Sequence, residues 1–347
     1  MKAISLFSGA GGLDIGCKLA GIEVAVSTDI DSDCIKTLKA NSKWNTGAIL
    51  EGDLHSIKSS TLKDLCGKKS NKLIVIGGAP CQPFSKNGYW VGNNTRRGIN
   101  DPRAKLVNEF LRVVSDLNPQ GFVFENVESL LHPTNKIIVD EFIDIIKKTG
   151  YSYRIVKASA LDYGVPQNRK RLFIIGTKGY FKTEEPIKTH GEEIDIRKNK
   201  KLKPYATASE FIKKFDKQKY FETEEIVEGR YSKDLKEVPP GMNYKALTAW
   251  AGYSNPKFVA DKKFWNFLLK LSPDRYSWTI TAQPGPWIGP FHWNSRRLRV
   301  PEIAALQTFP EDYVFYGNRS SKQKQIGNAV PSLMAKAMIE YLRDSLR

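Results

Sequence analysis

Cysteine and histidine are scarce in this chain of 347 residues, which contains four of each. No two cysteines form a C-x-x-C pair, and the histidines are scattered along the chain. Zinc sites and disulfide frameworks need clustered ligands or paired cysteines, so we expect neither, and no metal centre. The cysteine usage instead fits a reducing cytosol.

Long apolar runs are also missing. The first residues, Met1 to Phe7, begin as a signal peptide would, but Gly9, Gly11 and Gly12 interrupt the run at once. We therefore expect no signal peptide, and no stretch is long enough to span a membrane.

Acidic residues are too few to balance the basic ones. Lysine and arginine number 54 against 37 aspartates and glutamates, and the formal net charge is +17. A protein this basic usually contacts a polyanion, so we expect nucleic acid as a partner. A basic surface that only aids solubility is the alternative.

The pattern of apolar residues is typical of an α/β protein. Residues 2–7 and 24–28 predict buried strands, and 13–20 predicts the helix between them. This β-α-β opening predicts a parallel sheet. Further strands are expected at 72–76, 121–124 and 171–175, and further helices at 106–117, 137–146 and after Pro331.

The character of the chain changes after about residue 177. Lysines crowd residues 198–219, periodicity weakens, and Pro, Gly, Trp and Tyr are frequent between 238 and 293. We expect a separate, smaller, loop-rich basic domain here. A regular pattern returns near residue 296.

Glycines follow the first predicted strand in the segment 7–12 and would let the backbone approach a ligand closely. Asp29 ends the second strand, where a carboxylate can hold a ribose diol. Asp14 stands where the third glycine of a dinucleotide fingerprint would be, so a nucleoside cofactor without a pyrophosphate fits better. Asp53 could bond an adenine amino group. A plain turn is the alternative for both segments.

Cys81 lies between two prolines, shortly after the apolar run 72–76. The carboxyl end of a core strand faces the crevice in which open sheets bind ligands. Flanking prolines suit neither a helix nor the middle of a strand. We therefore interpret Cys81 as a nucleophile rather than as a small buried hydrophobe. Residues 86–100 predict a long loop, which often marks function.

Three later segments also carry polar groups at predicted element ends. Glu125 follows an apolar strand, so its carboxyl could be desolvated and protonated near neutral pH. Alternation along the strand that follows Gln167 would put Arg169 and Arg171 on one face, where they could grip a phosphate and a base carbonyl. Residues 325–331 precede the predicted last helix. The alternative for Glu125 is an ordinary capping or turn carboxylate, and that for Arg169 and Arg171 is an edge strand protected by charge. The alternative for 325–331 is a plain loop-to-helix junction.

Together and in order, six segments resemble the cytosine-C5 DNA methyltransferase family of the bacterial restriction-modification type. They are FSGAGG at 7–12, APCQPFS at 79–85, ENV at 125–127, QNRKR at 167–171, RRLRVPEIAALQTFP at 296–310 and QIGNAVP at 325–331. The resemblance runs from residue 2 to about 180 and from about 278 to the end.

The resemblance implies a Rossmann-like sheet that uses S-adenosyl-L-methionine. It implies a catalytic and cofactor-binding domain at 1–178, a target recognition domain at 179–278 and a return segment at 279–347. The implied cofactor-binding residues are Phe7, Ser8, Gly9, Gly11, Gly12, Asp29, Ile30, Asp53, Leu54, Pro80, Leu106 and Asn328.

Catalytic roles follow from the same resemblance. Cys81 would attack C6 of a flipped-out cytosine, and Glu125 would engage N3. Arg171 would contact the O2 edge, and Arg169 would hold nearby backbone or the nucleophile loop. DNA contacts are expected from Ser85, Arg96, Arg97, Arg230 and Tyr253.

The chain departs from the family pattern at three positions. Ala79 stands where many members have proline, Asp29 replaces the more usual glutamate, and Ile30 replaces a common aromatic residue. These changes predict a shorter ribose contact and an adenine stacked on an aliphatic side chain.

Three other functions agree less well with the sequence. A tRNA cytosine methyltransferase would carry a Cys-Phe-Thr tripeptide, which no cysteine here begins. An NAD-dependent oxidoreductase needs the glycine fingerprint that Asp14 breaks. An inactive DNA-binding module would be expected to lack Cys81 or Glu125. We expect a cytoplasmic, nucleoid-associated monomer that binds double-stranded DNA, without membrane contact and with a cognate restriction endonuclease as a candidate partner.

Overall fold

The computed structural model describes residues 1–67, 72–79 and 105–346. Its strands β1 to β11 are, in order, Lys2–Leu6, Glu23–Asp29, Ala48–Glu51, Leu73–Gly78, Gly121–Asn126, Ser152–Ser159, Gln167–Asn168, Lys170–Thr177, His190–Gly191, Lys203–Pro204 and Ser277–Trp278. Its helices α1 to α11 are Gly12–Leu19, Ser32–Ala40, Ser59–Cys66, Lys105–Leu117, Lys136–Lys148, Glu193–Lys198, Ala208–Ile212, Ser232–Glu237, Val300–Leu306, Arg319–Asn328 and Ser332–Ser345. Single 3-10 turns lie at Glu128–Leu131, Pro133–Asn135, Ala160–Tyr163, Lys213–Phe215, Gln218–Tyr220, Thr223–Glu225, Tyr244–Leu247 and Ala249–Ala251.

A seven-stranded sheet organises the larger part of the chain, in the order β3-β2-β1-β4-β5-β8-β6. The first five strands pair in parallel, as the β-α-β pattern predicts. β8 runs antiparallel to both of its neighbours, so the prediction of a purely parallel sheet is wrong at this side.

Helices cover both faces of the sheet, which explains why its central strands are apolar throughout. One face packs against α3, α4 and α5 through a core that includes Phe110, Phe122 and Phe142. The other face packs against α1 and α11. A Cβ on Gly16 would lie 2.5 Å from the Cβ of Ala335, so glycine permits the close approach of these two helices.

The strand order places several chain segments at one edge of the sheet. The chain moves outward from β1 in one direction and returns to β4 on the other side, and ligands bind at such a switch point. The carboxyl ends of β1, β2, β4 and β5 meet at this edge. Because β8 is antiparallel, its amino end lies there as well.

A second, smaller core lies in the later part of the chain. It contains Leu235, Val238, Tyr244, Leu247, Phe267, Leu268 and Phe291. Residues 208–215 instead pack with α9 and with Ala10 and Ile15. The small core thus extends to Phe291, and residues 208–215 belong to another core. The domain boundaries at 179 and 278 remain predictions. No helix in the described ranges is long and apolar enough to cross a membrane.

The end of the chain returns to the large sheet as α9, α10 and α11. Residues 325–328 form the last turn of α10, so the alternative of a plain loop-to-helix junction over 325–331 is wrong for its first half. Only Ala329 to Pro331 connect α10 to α11.

Candidate active site

A cavity opens at the switch-point edge between β1 and β4. Its walls come from the glycine segment after β1, the ends of β2, β4 and β5, the start of β8 and the last turn of α10. The described residues that line it are Phe7, Ser8, Gly9, Gly12, Leu13, Asp29, Asp31, Cys34, Gly78, Ala79, Glu125, Val127, Arg171, Lys324, Gln325, Asn328, Ala329 and Val330.

The glycine segment holds the carboxylate of Asp29 in the cavity wall. The amide of Gly9 donates to Oδ2 of Asp29 at 2.7 Å, and the amide of Asp31 donates to Oδ1 at 2.9 Å. Phe7 and Gly9 have left-handed φ angles of 54° and 55°, which turn the chain after the strand. Burial raises the pKa of Asp29, and the two amides oppose that rise because they favour the charged form. A carboxylate held here can accept hydrogen bonds from a ribose diol.

Gly12 brings the end of the chain to the same cavity. A Cβ at this position would lie 2.2 Å from the carbonyl oxygen of Val330, which no side chain could tolerate. The first turn of α1 therefore packs directly on the backbone after α10. This contact places Asn328 and Val330 beside the glycine segment.

Glu125 and Arg171 form an ion pair in the cavity wall. Nε of Arg171 lies 2.9 Å from Oε1 of Glu125, and their side chains are only 16% and 11% exposed. Burial raises the pKa of Glu125, although the positive charges of Arg171 and Arg169 work against that rise. A carboxyl group in this setting can give a proton to a ring nitrogen, beside a guanidinium that can donate to a carbonyl oxygen.

Asn126 is a site residue that sequence reasoning missed. Its Nδ2 donates to the carbonyl of Ala79 at 3.2 Å, and its Oδ1 accepts from the amide of Val127 at 2.9 Å. The end of β5 thus holds the residue after β4, immediately before Pro80 in the chain. The motif at 125–127 contained the signal, but only Glu125 received a role.

Arg169 lies between β7 and β8, and its side chain is buried. Its Nη1 donates to the carbonyl of Ile280 at 3.3 Å and its Nη2 to that of Gly327 at 2.8 Å. The strand begins only at Lys170, so the predicted alternation of Arg169 and Arg171 along one strand is wrong. The guanidinium instead ties the segment after β11 to the last turn of α10.

Two buried glutamines extend this link and were also missed. Nε2 of Gln167 lies 3.0 Å from Oε1 of Gln307, whose own Nε2 donates to the carbonyl of Ile326 at 2.7 Å. The carbonyls at the end of α10 are therefore held from two sides. Both glutamines stand in motifs that the sequence displays, but neither residue type signals a fixed buried network.

Asp14 is a fully buried carboxylate beneath the glycine segment. Its two oxygens accept from the hydroxyls of Ser5 and Ser27 at 2.5 and 2.6 Å. Ser8, which lines the cavity, donates to Oγ of Ser5 at 2.9 Å. Burial raises the pKa of Asp14 to about 6, against the two hydroxyl hydrogen bonds. Sequence reasoning noticed Asp14 only as a missing glycine.

The family of the chain follows from its similarity to known proteins. A family model described as C-5 cytosine-specific DNA methylase matches residues 1–343. The chain belongs to this family. It is a DNA cytosine-5-methyltransferase, as the six segments predict, and the oxidoreductase alternative falls away.

Curated relatives cover the methylase along its whole length. It is 37% identical to the Type II methyltransferase M.SacI of Streptomyces achromogenes, over 100% of this chain and 93% of the relative. It is 32% identical to the Type II methyltransferase M1.HphI of Haemophilus parahaemolyticus, over 97% and 85%.

Solved structures of similar fold include a putative DNA modification methyltransferase encoded within an E. coli prophage. Its TM-score is 0.69 at 22% identity, covering 100% of this chain and 99% of that one. The S. pombe Dnmt2 methyltransferase has a TM-score of 0.61 at 16% identity, with the same coverage. The predicted α/β methyltransferase fold is confirmed.

Several residues predicted to bind cofactor do not line the described part of the methylase cavity. Gly11 precedes α1 with a left-handed φ of 81°. Ile30 is 68% exposed, Leu54 is buried in the core that α3 and α4 cover, and Leu106 lies in the first turn of α4 and packs against that core. Asp53 is exposed, and its Oδ1 accepts from the amide of His55 at 3.0 Å.

The predicted DNA-contacting residues fall in two groups. Arg230 is exposed and lies over the ring of Tyr231 at 5.0 Å. The hydroxyl of Tyr253 bonds to Glu237, and its ring packs on the small core. The second group lies outside the residues that the structure describes and consists of Ser85, Arg96 and Arg97. The predicted cofactor-binding Pro80 and the predicted nucleophile Cys81 also lie outside them.

One cluster in the methylase has the donors of a metal site but holds an arginine. Asp216, His292 and Glu302 lie within ligand distance of one another. Nη2 of Arg296 already contacts Glu302 at 2.6 Å and Asp216 at 2.9 Å. The Nδ1 of His292 accepts an amide hydrogen bond, which leaves Nε2 protonated and unfit as a ligand. The guanidinium of Arg296 thus supplies a positive charge that both carboxylates contact.

Proposed function

We propose that the methylase transfers a methyl group from S-adenosylmethionine to C5 of a flipped-out cytosine within a specific DNA sequence, through a covalent bond between Cys81 and C6. The observation that carries the proposal is the buried pair of Glu125 and Arg171, which faces the cavity beside Ala79. Pro80 and Cys81 follow Ala79 directly in the chain.

The cavity suits S-adenosylmethionine better than a dinucleotide. Asp14 stands where the third glycine of a dinucleotide fingerprint would be, and its carboxylate is buried beneath the glycine segment. Asp29 would accept from the ribose hydroxyls, while Phe7, Gly9 and Asn328 would surround the rest. Roles for Ser8, Gly11, Ile30, Asp53, Leu54, Pro80 and Leu106 are part of the same proposal. The bound cofactor supplies an electrophilic methyl group.

The side chains of this protein would make C5 reactive. Addition of the Cys81 thiolate to C6 breaks the aromaticity of the ring and makes C5 nucleophilic. Once C5 carries the methyl group, loss of the C5 proton and release of Cys81 from C6 would restore the ring. Glu125 would hold a proton at N3, and its raised pKa favours the protonated form that this role needs. Arg171 would donate to O2. Arg169 would act as a positioning residue, through the backbone that it holds.

DNA is the substrate that the family membership implies, and we propose that 179–278 selects the target sequence. The region has a small core of its own. Arg230 and Tyr253 are proposed to contact DNA there, together with Ser85, Arg96 and Arg97 from the segment that follows Cys81 in the chain. Because the relatives are named Type II methyltransferases, we further propose a restriction endonuclease that cleaves the same sequence.

A trapping experiment tests the covalent step. A fluorine at C5 of cytosine cannot leave as the C5 proton does, so methylation of such a duplex leaves the protein attached to DNA. We expect this adduct, on a denaturing gel, with the wild type and S-adenosylmethionine, and its absence with Cys81→Ser. Near-normal turnover of Cys81→Ser, with no adduct in the wild type, would contradict the mechanism.

A further inference from the structure

Trp278 is fixed close to the catalytic edge of the sheet. β11 pairs in parallel with β7, which sets Trp278 opposite Asn168. Oγ1 of Thr279 donates to the carbonyl of Asn168 at 2.6 Å, and the amide of Ile280 donates to Oε1 of Gln167 at 3.0 Å. Thr279 and Ile280 therefore continue the hydrogen bonding between β11 and β7. This segment cannot slide relative to the start of β8.

The distance to the reacting groups is short on the scale of DNA. Asn168 precedes Arg171 by three residues, which is at most about 11 Å of extended chain. The major groove of DNA alone is about 12 Å wide. A duplex that delivers one base to Glu125 and Arg171 is therefore wide enough to reach Trp278 as well.

Trp278 is paired with a second exposed tryptophan. The ring centroids of Trp265 and Trp278 are 4.8 Å apart at an interplanar angle of 70°, and the residues are 51% and 37% exposed. The carbonyl of Trp265 accepts from Nδ2 of Asn243 at 2.5 Å. Phe267 and Leu268 follow Trp265 in the buried small core. The two rings thus form a supported aromatic ledge.

Exposed basic residues stand near both tryptophans in the sequence. Lys262 and Lys263 precede Trp265, Arg275 precedes Trp278, and Lys170 follows Asn168 by two residues, and all four are exposed. Of the acids near these positions, Asp261 is paired with Lys245. Aromatic rings among cations are the pattern by which proteins bind unstacked bases. An apolar protein partner would not need these charges.

We propose that Trp265 and Trp278 form a stacking ledge for the nucleotides beside the target cytosine. The inference rests on the proposed function, since it assumes a cytosine held at Glu125. When that base leaves the helix, its neighbours lose a stacking partner. An indole face supplies a replacement with little dependence on base identity.

Substitutions at the ledge give the first test, on a duplex whose target site has been located by methylation mapping. We expect Trp278→Leu and Trp265→Leu each to weaken duplex binding about tenfold in anisotropy titrations at fixed salt, with unchanged S-adenosylmethionine affinity. Trp278→Phe keeps a π-face and should stay within about threefold of the wild type. Tyr180→Leu is the matched control, because Tyr180 is 87% exposed but follows β8 at the opposite edge of the sheet.

Fluorescence gives a second test that does not need the leucine variants to fold. DNA should quench indole emission in the wild type, and Trp278→Phe should lose a measurable part of that quenching. Equal quenching in both proteins, or equal duplex affinity of wild type and Trp278→Leu, would overturn the ledge. The ledge would also be overturned if sedimentation without DNA showed a wild-type dimer that dissociates in the Trp278→Leu variant. A wild type that neither binds nor methylates the duplex would instead contradict the proposed function.

Discussion

Gly78 shows how little room surrounds the reacting groups of this methylase. It pairs with Glu125 across β4 and β5, in register. A Cβ at position 78 would lie 2.6 Å from Oε2 of Glu125. Because real Cβ contacts are never this short, the carboxyl would have to move, and its pairing with Arg171 would change.

Gly78→Ala should therefore lower the methylation rate while leaving the fold intact. A displacement of about 1 Å in a catalytic group can lower a rate about 100-fold, and we expect a loss of this order in kcat. Gly52→Ala is the control, because its Cβ would meet only Ile57, at an ordinary 3.5 Å. Rate assays and thermal melting of both variants check this. A wild-type kcat for Gly78→Ala would mean that the position of Glu125 is not critical.

At the scale of single residues, sequence patterns identified groups at strand ends and missed groups that act through backbone. Glu125 and Asp29 could be predicted because a carboxylate after an apolar run is conspicuous. Asn126 and Gln307 could not, since their function lies in which carbonyl each amide reaches. Asp53 stands after a strand and its Oδ1 accepts from the amide of His55 in a local turn, so its contact with the cofactor stays a prediction.

At the scale of elements, the β1–α1–β2 unit is built around a buried charge. Asp14 lies in the first turn of α1 and joins Ser5 of β1 to Ser27 of β2. Its pKa is about 6 in the folded protein, against an ordinary value of 3.8. The folded state thus binds this proton more tightly. The stability that it contributes is fully present below pH 3.8 and is lost as pH rises through 6.

Asp14→Asn should remove this pH dependence. Between about pH 4 and pH 7 the wild type should lose about 2 to 3 kcal/mol of unfolding free energy relative to the variant, from about 1.4 kcal/mol per pKa unit. Urea unfolding at several pH values measures the difference. A difference between the two proteins that stays constant over this pH range would show that Asp14 titrates normally in the folded state.

The start of α9 is attached to the preceding region by a second buried charge cluster. Nη2 of Arg299 lies 3.0 Å from Oε1 of Glu225, and Nη1 donates to the carbonyls of Phe215 and Lys217 at 2.6 and 2.9 Å. Arg299 and Glu225 are both buried. Loss of the arginine would remove two guanidinium hydrogen bonds from the buried carboxylate of Glu225 and a donor from two carbonyls.

Arg299→Met should destabilise the protein by about 3 to 5 kcal/mol, as expected when one partner of a buried pair is removed. Adding Glu225→Gln should restore part of the loss. The control is Arg197→Met, which breaks an exposed pair with Glu193 in α6 and should cost less than about 0.5 kcal/mol. Chemical denaturation checks all three, and equal losses for Arg299→Met and Arg197→Met would contradict the account.

Element prediction succeeded where burial produces a clear pattern. β1, β4 and β5 are buried on both faces, so their apolar runs were visible. The direction of β8 could not be predicted, because an apolar run indicates a strand but not whether that strand pairs parallel or antiparallel with its neighbours. α10 was missed because its sequence, RSSKQKQIGN, has a single apolar residue. Tertiary bonds such as that from Thr37 to Gln325, at 2.6 Å, stabilise it instead.

At the scale of the whole molecule, segments far apart in sequence build one cavity. Residues 7–34 and 324–330 line the same space, although they lie near opposite ends of the chain. The resemblance of six segments in order predicted that meeting, which periodicity alone could not. The part between them has its own small core, and its surface loops gave no pattern from which a DNA sequence could be derived.

The most direct test of the central claim is base-resolution mapping of 5-methylcytosine. Unmethylated genomic DNA is incubated with the purified protein and S-adenosylmethionine, and every cytosine is read. The account predicts methylation at C5 confined to one short sequence, and none with Cys81→Ser. A folded wild type that binds the cofactor but leaves all DNA cytosines unmethylated would contradict it.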